Sequence, residues 1–166
     1  MTDWKLISKG FLGIYWIMEC NKTENAERTL IDVYSKHFGK DWNGESLLNS
    51  GVLMMSSYLL FVYPQQADFD SIDFSVIDIS KFKIIQQDGD NSKSKKFCGR
   101  LRNSISHSRF VVDEETNVIN FKDNKPDGSD KIEFEIGVVD FGNFIDNFAH
   151  TVNEQMIERN DIEHEM

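Results

Sequence analysis

Apolar residues recur every three or four positions over most of this chain, a period that predicts amphipathic helices. Such stripes occupy residues 4–18, residues 24–38 and residues 48–62. The third stripe is apolar nearly all round in its second half, which predicts a buried central helix that Pro64 ends. A last helix begins near Asp140 and is followed by an acidic tail over residues 158–166, which we expect to fray.

Alternation of apolar and polar residues replaces the helical period before the last helix. Residues 109–113 and 118–123 alternate like the strands of a β-hairpin, with residues 114–117 as its turn. Residues 131–136 would add a short strand, whereas residues 65–90 fit either a helix or extended structure. The pattern therefore predicts a mainly α fold, an up-and-down bundle of four to five helices with a small β-hairpin inserted before the last helix.

Size and composition fit one domain over residues 1–166, since 166 residues with 40% apolar content are enough to bury a core. The first ten residues lack the pattern of a signal peptide, and the most apolar segment, residues 52–63, is too short to span a bilayer. Cys20 and Cys98 form no CxxC pair and are expected to be reduced thiols. We therefore expect a cytoplasmic protein without a membrane segment.

A helix predicted around residue 100 lies in a long carboxylate-free stretch that is strongly basic, although the chain as a whole is acidic. The net charge is −10 and the pI is about 4.8, yet residues 91–112 hold six basic residues and no Asp or Glu. A strongly acidic protein repels polyanions, which argues against indiscriminate coating of nucleic acid, so any anionic ligand has to be received locally. On an ideal helix one arc is apolar. The opposite arc would carry Lys95, Lys96, Arg100, Arg102, Asn103 and His107.

Arg102 and His107 give this stretch its candidate chemistry. Cleavage of RNA through its own 2′-hydroxyl needs a base for that proton, an acid for the leaving 5′-oxygen and a cation beside the phosphorane. An imidazole serves either proton role near neutral pH, and a guanidinium offers paired donors to phosphate oxygens. Spacing alone leaves a second interpretation open, in which Asn103 and Ser104 fray a helix end and His107 is an ordinary solvated histidine.

The string Leu101-Arg102-Asn103-Ser104-Ile105-Ser106-His107 resembles the signature of the HEPN (higher eukaryotes and prokaryotes nucleotide-binding) family. In that family an Arg, often followed by a polar residue, precedes a His by four to six intervening positions; here four intervene. The resemblance extends to an all-helical bundle with the motif on a late helix. A hairpin and a closing helix after the motif are similar to some bacterial members.

This resemblance implies a metal-independent endoribonuclease without a cofactor, commonly a toxin or anti-phage effector, that works on RNA as a homodimer. His107 would be the acid/base, Arg102 the phosphate ligand and Asn103 a supporting polar contact. A toxin would need a neutralising partner such as an antitoxin or a nucleotidyltransferase. Some family members have lost activity, so a non-catalytic module for dimerisation, nucleotide or RNA binding, or partner binding is the alternative. The remaining predicted RNA contacts are Lys95, Lys96, Arg100 and Arg109.

Helical geometry raises a difficulty for a site built within one chain. Five residues of ideal helix separate Arg102 and His107 by about 140° around the axis. Either the helix unwinds over residues 104–106, or two copies pair about a two-fold axis and bring two His and two Arg together. We favour the composite site, because it supplies both an acid and a base.

Other chemistries find little support in the sequence. Asp68, Asp70 and Asp73 suggest a metal loop. However, an EF-hand loop that begins at Asp68 would need Gly where this chain has Asp73, and Glu where it has Ile79. The histidines have no HExxH spacing, and the chain has neither a GxSxG elbow nor a glycine-rich phosphate loop. We therefore predict no metal site.

Overall fold

The structure, a computed structural model, describes residues 50–165, with side chains described as far as residue 155. The predicted helices at residues 4–18 and 24–38 lie outside the described residues. The chain divides into two compact units, of which residues 57–166 make up most of one. The fold below is that of this unit, apart from residues 50–56 at the start of the first helix, which belong to the other unit. A single domain over residues 1–166 stays a prediction.

Four α-helices and four strands follow one another in the described part of the chain. They are α1 (Ser50–Phe61), α2 (Gln66–Asp70), a 3₁₀ turn (Phe74–Val76), β1 (Lys83–Gln87), α3 (Ser94–Ser106), β2 (Phe110–Asp113), β3 (Val118–Asp123), β4 (Ile132–Gly137) and α4 (Val138–Glu165).

The strands form one antiparallel sheet in the order β1-β4-β3-β2, so the predicted mainly α bundle with a small inserted hairpin is wrong. The hairpin itself is confirmed, because Phe110 pairs with Phe121 and Asp113 with Val118. The short strand predicted at residues 131–136 is β4, which pairs with β3 on one side and β1 on the other. An isolated two-stranded hairpin is only marginally stable in water. With β1 and β4 added, the hairpin becomes part of a four-stranded sheet that can bury one face.

Strand β1 comes from the segment that the sequence pattern left undecided. All five of its residues are exposed, including Ile84 and Ile85, so the segment has none of the alternation that marks a half-buried strand. Its pairing with β4 joins Ile84 to Phe134, far along the chain, and a bulge interrupts the register between Ile84 and Gln86. Since β1 is held by pairing with a strand that is distant in sequence, its own residues show no periodic pattern that predicts it.

The core of this unit lies between the sheet and helices α3 and α4, and phenylalanines fill much of it. The inward residues of β4 are Ile132, Phe134 and Ile136, each almost fully buried. The Phe134 ring centroid lies 4.7 Å from that of Phe97 on α3 and 5.4 Å from that of Phe121 on β3. Rings in such tilted or offset contact add stability beyond their buried area, so Phe134 joins helix and sheet.

Cys98 belongs to the same core and is a free thiol, as predicted. Burial raises the pKa of this thiol to about 12, so it stays protonated and unreactive at ordinary pH. Cys20 lies outside the described residues. None of the helices within residues 50–165 is long and apolar enough to cross a membrane. Helix α4 extends to Glu165, through most of the segment predicted to be a frayed tail.

Replacing Phe134 by Ala should lower the free energy of unfolding by about 3–5 kcal/mol, because it empties a site between three elements. Urea unfolding followed by circular dichroism measures the change. Val111→Ala is the matched control, since Val111 lies on edge strand β2 with 65% of its surface exposed. That control should stay within about 0.5 kcal/mol of the wild type. Equal losses in both variants would contradict the proposed core.

Candidate functional site

Helix α3 carries the whole Arg–His motif and is unbroken from Ser94 to Ser106. Phe97, Leu101 and Ile105 are almost fully buried and turn one face of the helix into the core. The helix does not unwind over residues 104–106, so the first of the two geometries expected from the sequence does not occur. The angular separation of Arg102 and His107 therefore persists within one chain.

The end of α3 is closed by a Schellman motif, a paired set of backbone hydrogen bonds that satisfies the last carbonyls. The Ser108 N–H donates to the Ile105 carbonyl at 3.1 Å, and the Arg109 N–H donates to the Ser104 carbonyl at 2.8 Å. Ser108 adopts the left-handed conformation that this motif requires, with φ of 52°. His107 is the C-cap residue, so the motif fixes its backbone at the helix end.

The His107 imidazole is exposed at this helix end. Its backbone N–H donates to the Asn103 carbonyl at 3.0 Å, which places Asn103 and His107 one turn apart on the same face. Within residues 50–155 the imidazole makes no hydrogen bond or ion pair. A histidine without structural partners at a solvent-accessible position is open to a substrate.

Arg102 is half-buried against the segment that follows α1. Its Nη2 donates to the Pro64 carbonyl at 2.8 Å, and its guanidinium carbon lies 4.7 Å from the centre of the Phe69 ring. Desolvation lowers the pKa of this guanidinium, while the charge of Asp70 acts in the opposite direction. Nη1 is buried and has no hydrogen-bond partner within the described residues. Arg102 thus keeps an unmet donor beside an aromatic platform.

Arg100 does not lie on the exposed arc where helical projection put it, because it is 8% exposed. Its Nη1 donates to Asp123 Oδ2 at 2.9 Å, and its Nη2 pairs with Asp130. The long side chain reaches around the helix to these carboxylates, which a projection of Cα positions does not anticipate. The positive charge of Arg100 is already paired with these two carboxylates, so we leave Arg100 out of the proposed RNA contacts.

Asp123 is the residue of this region that sequence reasoning missed. It is 4% exposed and accepts from Arg100 and from Asn103 Nδ2 at 3.3 Å through Oδ2, and from Arg109 Nη1 at 3.4 Å through Oδ1. The sequence held a signal for it. In β3 the inward positions alternate through Ile119 and Phe121 to Asp123, and a carboxylate at a core position needs cationic partners.

The three other predicted RNA contacts, Lys95, Lys96 and Arg109, have side chains that are at least partly exposed to solvent. Lys95 and Lys96 are exposed, and their Nζ atoms donate to backbone carbonyls of Asp70 and Asp90 at 3.0 and 2.7 Å. Neither lysine forms an ion pair within 4 Å among the described residues. Arg109 is about one-third exposed and also donates to the Asn124 carbonyl at 2.9 Å.

The predicted site residues thus form two groups on either side of α3. Arg102 and Lys95 lie toward the segment containing α2, whereas Asn103 and Arg109 meet at Asp123. His107 is one turn beyond Asn103, and no hydrogen bond joins it to Arg102 in the part of the chain that the structure describes. In that part, no cluster of three His, Cys, Asp or Glu side chains is arranged to hold a metal ion.

A groove of about 540 Å³ lies elsewhere, between the 3₁₀ turn region and α4. Its walls include Lys81, Asn143, Asn147 and Thr151, and none of the predicted site residues lines it. The motif therefore sits on an open surface of α3 and not in this groove.

Comparison with known families confirms the family that the sequence suggested. The family model described as HEPN pEK499 p136 matches residues 13–159, most of the chain. The protein therefore belongs to this HEPN family, whose domains are commonly ribonucleases or nucleotide-binding modules. No curated protein and no solved structure matches the chain.

Replacing Ser108 by Gly should raise the free energy of unfolding by about 0.5–1 kcal/mol, since glycine adopts a positive φ without the steric cost that a Cβ brings. Denaturant unfolding measures the gain. Ser106→Gly is the control, because Ser106 has helical backbone geometry and glycine there should lower stability by a similar amount. A loss of stability in both variants would argue against the left-handed helix end.

Proposed function

We propose that this protein is a metal-independent endoribonuclease that cleaves RNA through the 2′-hydroxyl, with His107 as the acid/base. The observation that carries the proposal is an exposed imidazole without structural partners, at the end of the helix that bears the family's Arg–polar–His motif. Arg102 is the phosphate ligand, and Asn103 is the supporting polar group.

The state of Arg102 supports its assignment as a phosphate ligand. One nitrogen of the guanidinium is held by Pro64, and a second has no acceptor. An unmet buried donor on a charged group costs free energy, and a phosphate oxygen would satisfy it. Because Nη1 is out of contact with solvent, Arg102 has to shift on the Phe69 ring for that oxygen to reach it.

The separation of Arg102 from His107 supports a site shared between two copies. A two-fold pairing of the α3 faces would place two imidazoles and two guanidiniums around one phosphodiester, so that one histidine acts as base and the other as acid. HEPN domains often dimerise and bind RNA. The proposed active form is therefore a homodimer.

RNA would be received by the basic residues that remain accessible around the motif. Lys95 and Lys96 are exposed on α3, and Arg109 follows the helix end. Three cations of this kind give a local attraction for the backbone phosphates, while the rest of an acidic chain limits binding elsewhere. We expect short contacts with RNA and a strong dependence on salt.

The biological role that fits such an activity is a toxin or an anti-phage effector acting in the cytoplasm. An uncontrolled ribonuclease damages its own cell, so the proposal includes a neutralising partner, either an antitoxin or a nucleotidyltransferase.

A second candidate function is a non-catalytic HEPN module that binds RNA, a nucleotide or a partner protein. One observation favours it: Arg102 donates to the Pro64 carbonyl and covers the Phe69 ring, and among the described residues no hydrogen bond joins it to His107. An arginine used in this way stabilises the fold whether or not the protein has a substrate. RNA binding without cleavage would select this function.

Purified protein should cut RNA in the presence of EDTA and leave 2′,3′-cyclic phosphate and 5′-hydroxyl ends. His107→Ala should lower the cleavage rate by at least about a hundred-fold, the usual contribution of a general acid or base. His150→Ala is the matched control, because His150 is an exposed histidine on α4 and should keep full activity. Cleavage that EDTA abolishes but His107→Ala leaves intact would refute the assignment.

A heterodimer of one wild-type subunit and one His107→Ala subunit tests the shared site. Two tags allow it to be purified after co-expression. If one site needs both histidines, the heterodimer should fall below about a tenth of wild-type activity, whereas two independent sites would leave about half. A heterodimer carrying His150→Ala in one subunit should match the wild type. Retention of half the activity would rule out the composite site.

A further inference from the structure

Asn103 and His107 are neighbours in a way that Arg102 and His107 are not. They are separated by four residues on α3, and the His107 N–H donates to the Asn103 carbonyl at 3.0 Å. Side chains four apart on a helix lie on one face, with about 5–6 Å between their Cβ atoms. The exposed amide of Asn103 is therefore within reach of the imidazole, which has no other partner among the described residues.

Asp123 determines which end of this amide faces outward. Its Oδ2 accepts from Asn103 Nδ2 at 3.3 Å, while guanidinium groups of Arg100 and Arg109 occupy its other contacts. A carboxylate that faces two guanidiniums offers only acceptors, so the amide nitrogen and not the oxygen has to face it. The usual ambiguity of an amide flip is thereby removed by chemistry.

The carbonyl oxygen of Asn103 consequently points away from Asp123. Asn103 is exposed, and within the described part of the chain its Oδ1 accepts no hydrogen bond. An outward amide oxygen is an acceptor beside a ring that carries an N–H donor. Since residues four apart on a helix lie on one face, rotation of the exposed His107 side chain would bring a ring N–H towards this oxygen, and catalytic hydrogen bonds are often loose before the substrate binds.

We propose that Asp123 is a positioning residue that holds the Asn103 amide so that its oxygen accepts from one N–H of His107 and sets the tautomer of that ring. The second ring nitrogen then faces the substrate without a proton and is ready to act as the base. Residues that orient a catalytic histidine in this way recur in unrelated enzymes. This inference rests on the proposed function for its catalytic meaning, but the hydrogen bond itself does not require RNA.

Selective ¹⁵N labelling of histidine makes the tautomer of His107 measurable by NMR without any RNA. The chain has four histidines, and loss of one signal set in His107→Ala assigns the resonance. In the wild type the ratio of the two neutral tautomers of His107 should differ from that of free histidine. Asn103→Ala and Asp123→Asn should both return the ratio to that of free histidine.

Asn147→Ala is the matched control, because Asn147 is an exposed asparagine on α4, away from α3. It should leave the tautomer ratio of His107 unchanged. Asp123→Asn risks unfolding the protein, since it weakens a buried ion pair, whereas Asn103→Ala alters an exposed side chain and should fold normally. A tautomer ratio that does not respond to Asn103→Ala overturns the inference.

Activity measurements separate this inference from the proposed ribonuclease function. In the active protein Asn103→Ala should lower kcat by at least about ten-fold with little change in KM, because it disturbs the base and not the binding of RNA. An equal loss through KM would indicate a substrate contact and would contradict the positioning role. If the tautomer responds but wild-type protein cuts no RNA, the positioning stands and the ribonuclease function falls.

Discussion

The buried pair of Arg100 and Asp123 is the interaction on which the arrangement of this region depends. It joins the middle of α3 to the end of β3 at a place where both side chains are almost out of contact with solvent. Removing one partner of such a pair typically costs about 3–5 kcal/mol, because the other charge is left buried and uncompensated. The helix that carries the motif is therefore locked to the sheet in one orientation, and the motif residues follow from that orientation.

The local part of this fold could be read from the sequence, and the long-range part could not. Alternation predicted β2, β3 and β4, and the helical period predicted α3 and α4, because each of these elements has a regularly spaced apolar face. Strand β1 shows no alternation, since it is exposed throughout and is held by its hydrogen bonds to β4. Because the sequence pattern showed neither β1 nor the central position of β4, the sheet was predicted as a small inserted hairpin.

For the candidate site, too, the local features could be predicted from the sequence and the long-range contacts could not. The motif of Arg102, Asn103 and His107 was visible as a string, and the family that it suggested is the one whose model matches residues 13–159. A helical projection treats each side chain as pointing straight out, which placed His107 correctly but failed for Arg100, whose side chain reaches back to Asp123. The carboxylate was overlooked because it stands outside the motif. A stretch without Asp or Glu suggested free cations, yet the sheet supplies the counter-charges from elsewhere in the chain.

Among residues 50–165, β1 is an edge strand of the sheet, and this has a consequence for how the protein behaves at high concentration. Two adjacent isoleucines on an edge strand, Ile84 and Ile85, are the kind of surface onto which another strand can add. The bulge beside them breaks the regular spacing of amide and carbonyl groups that an added strand would need. The addition of a further strand at that edge is thereby discouraged by a backbone irregularity.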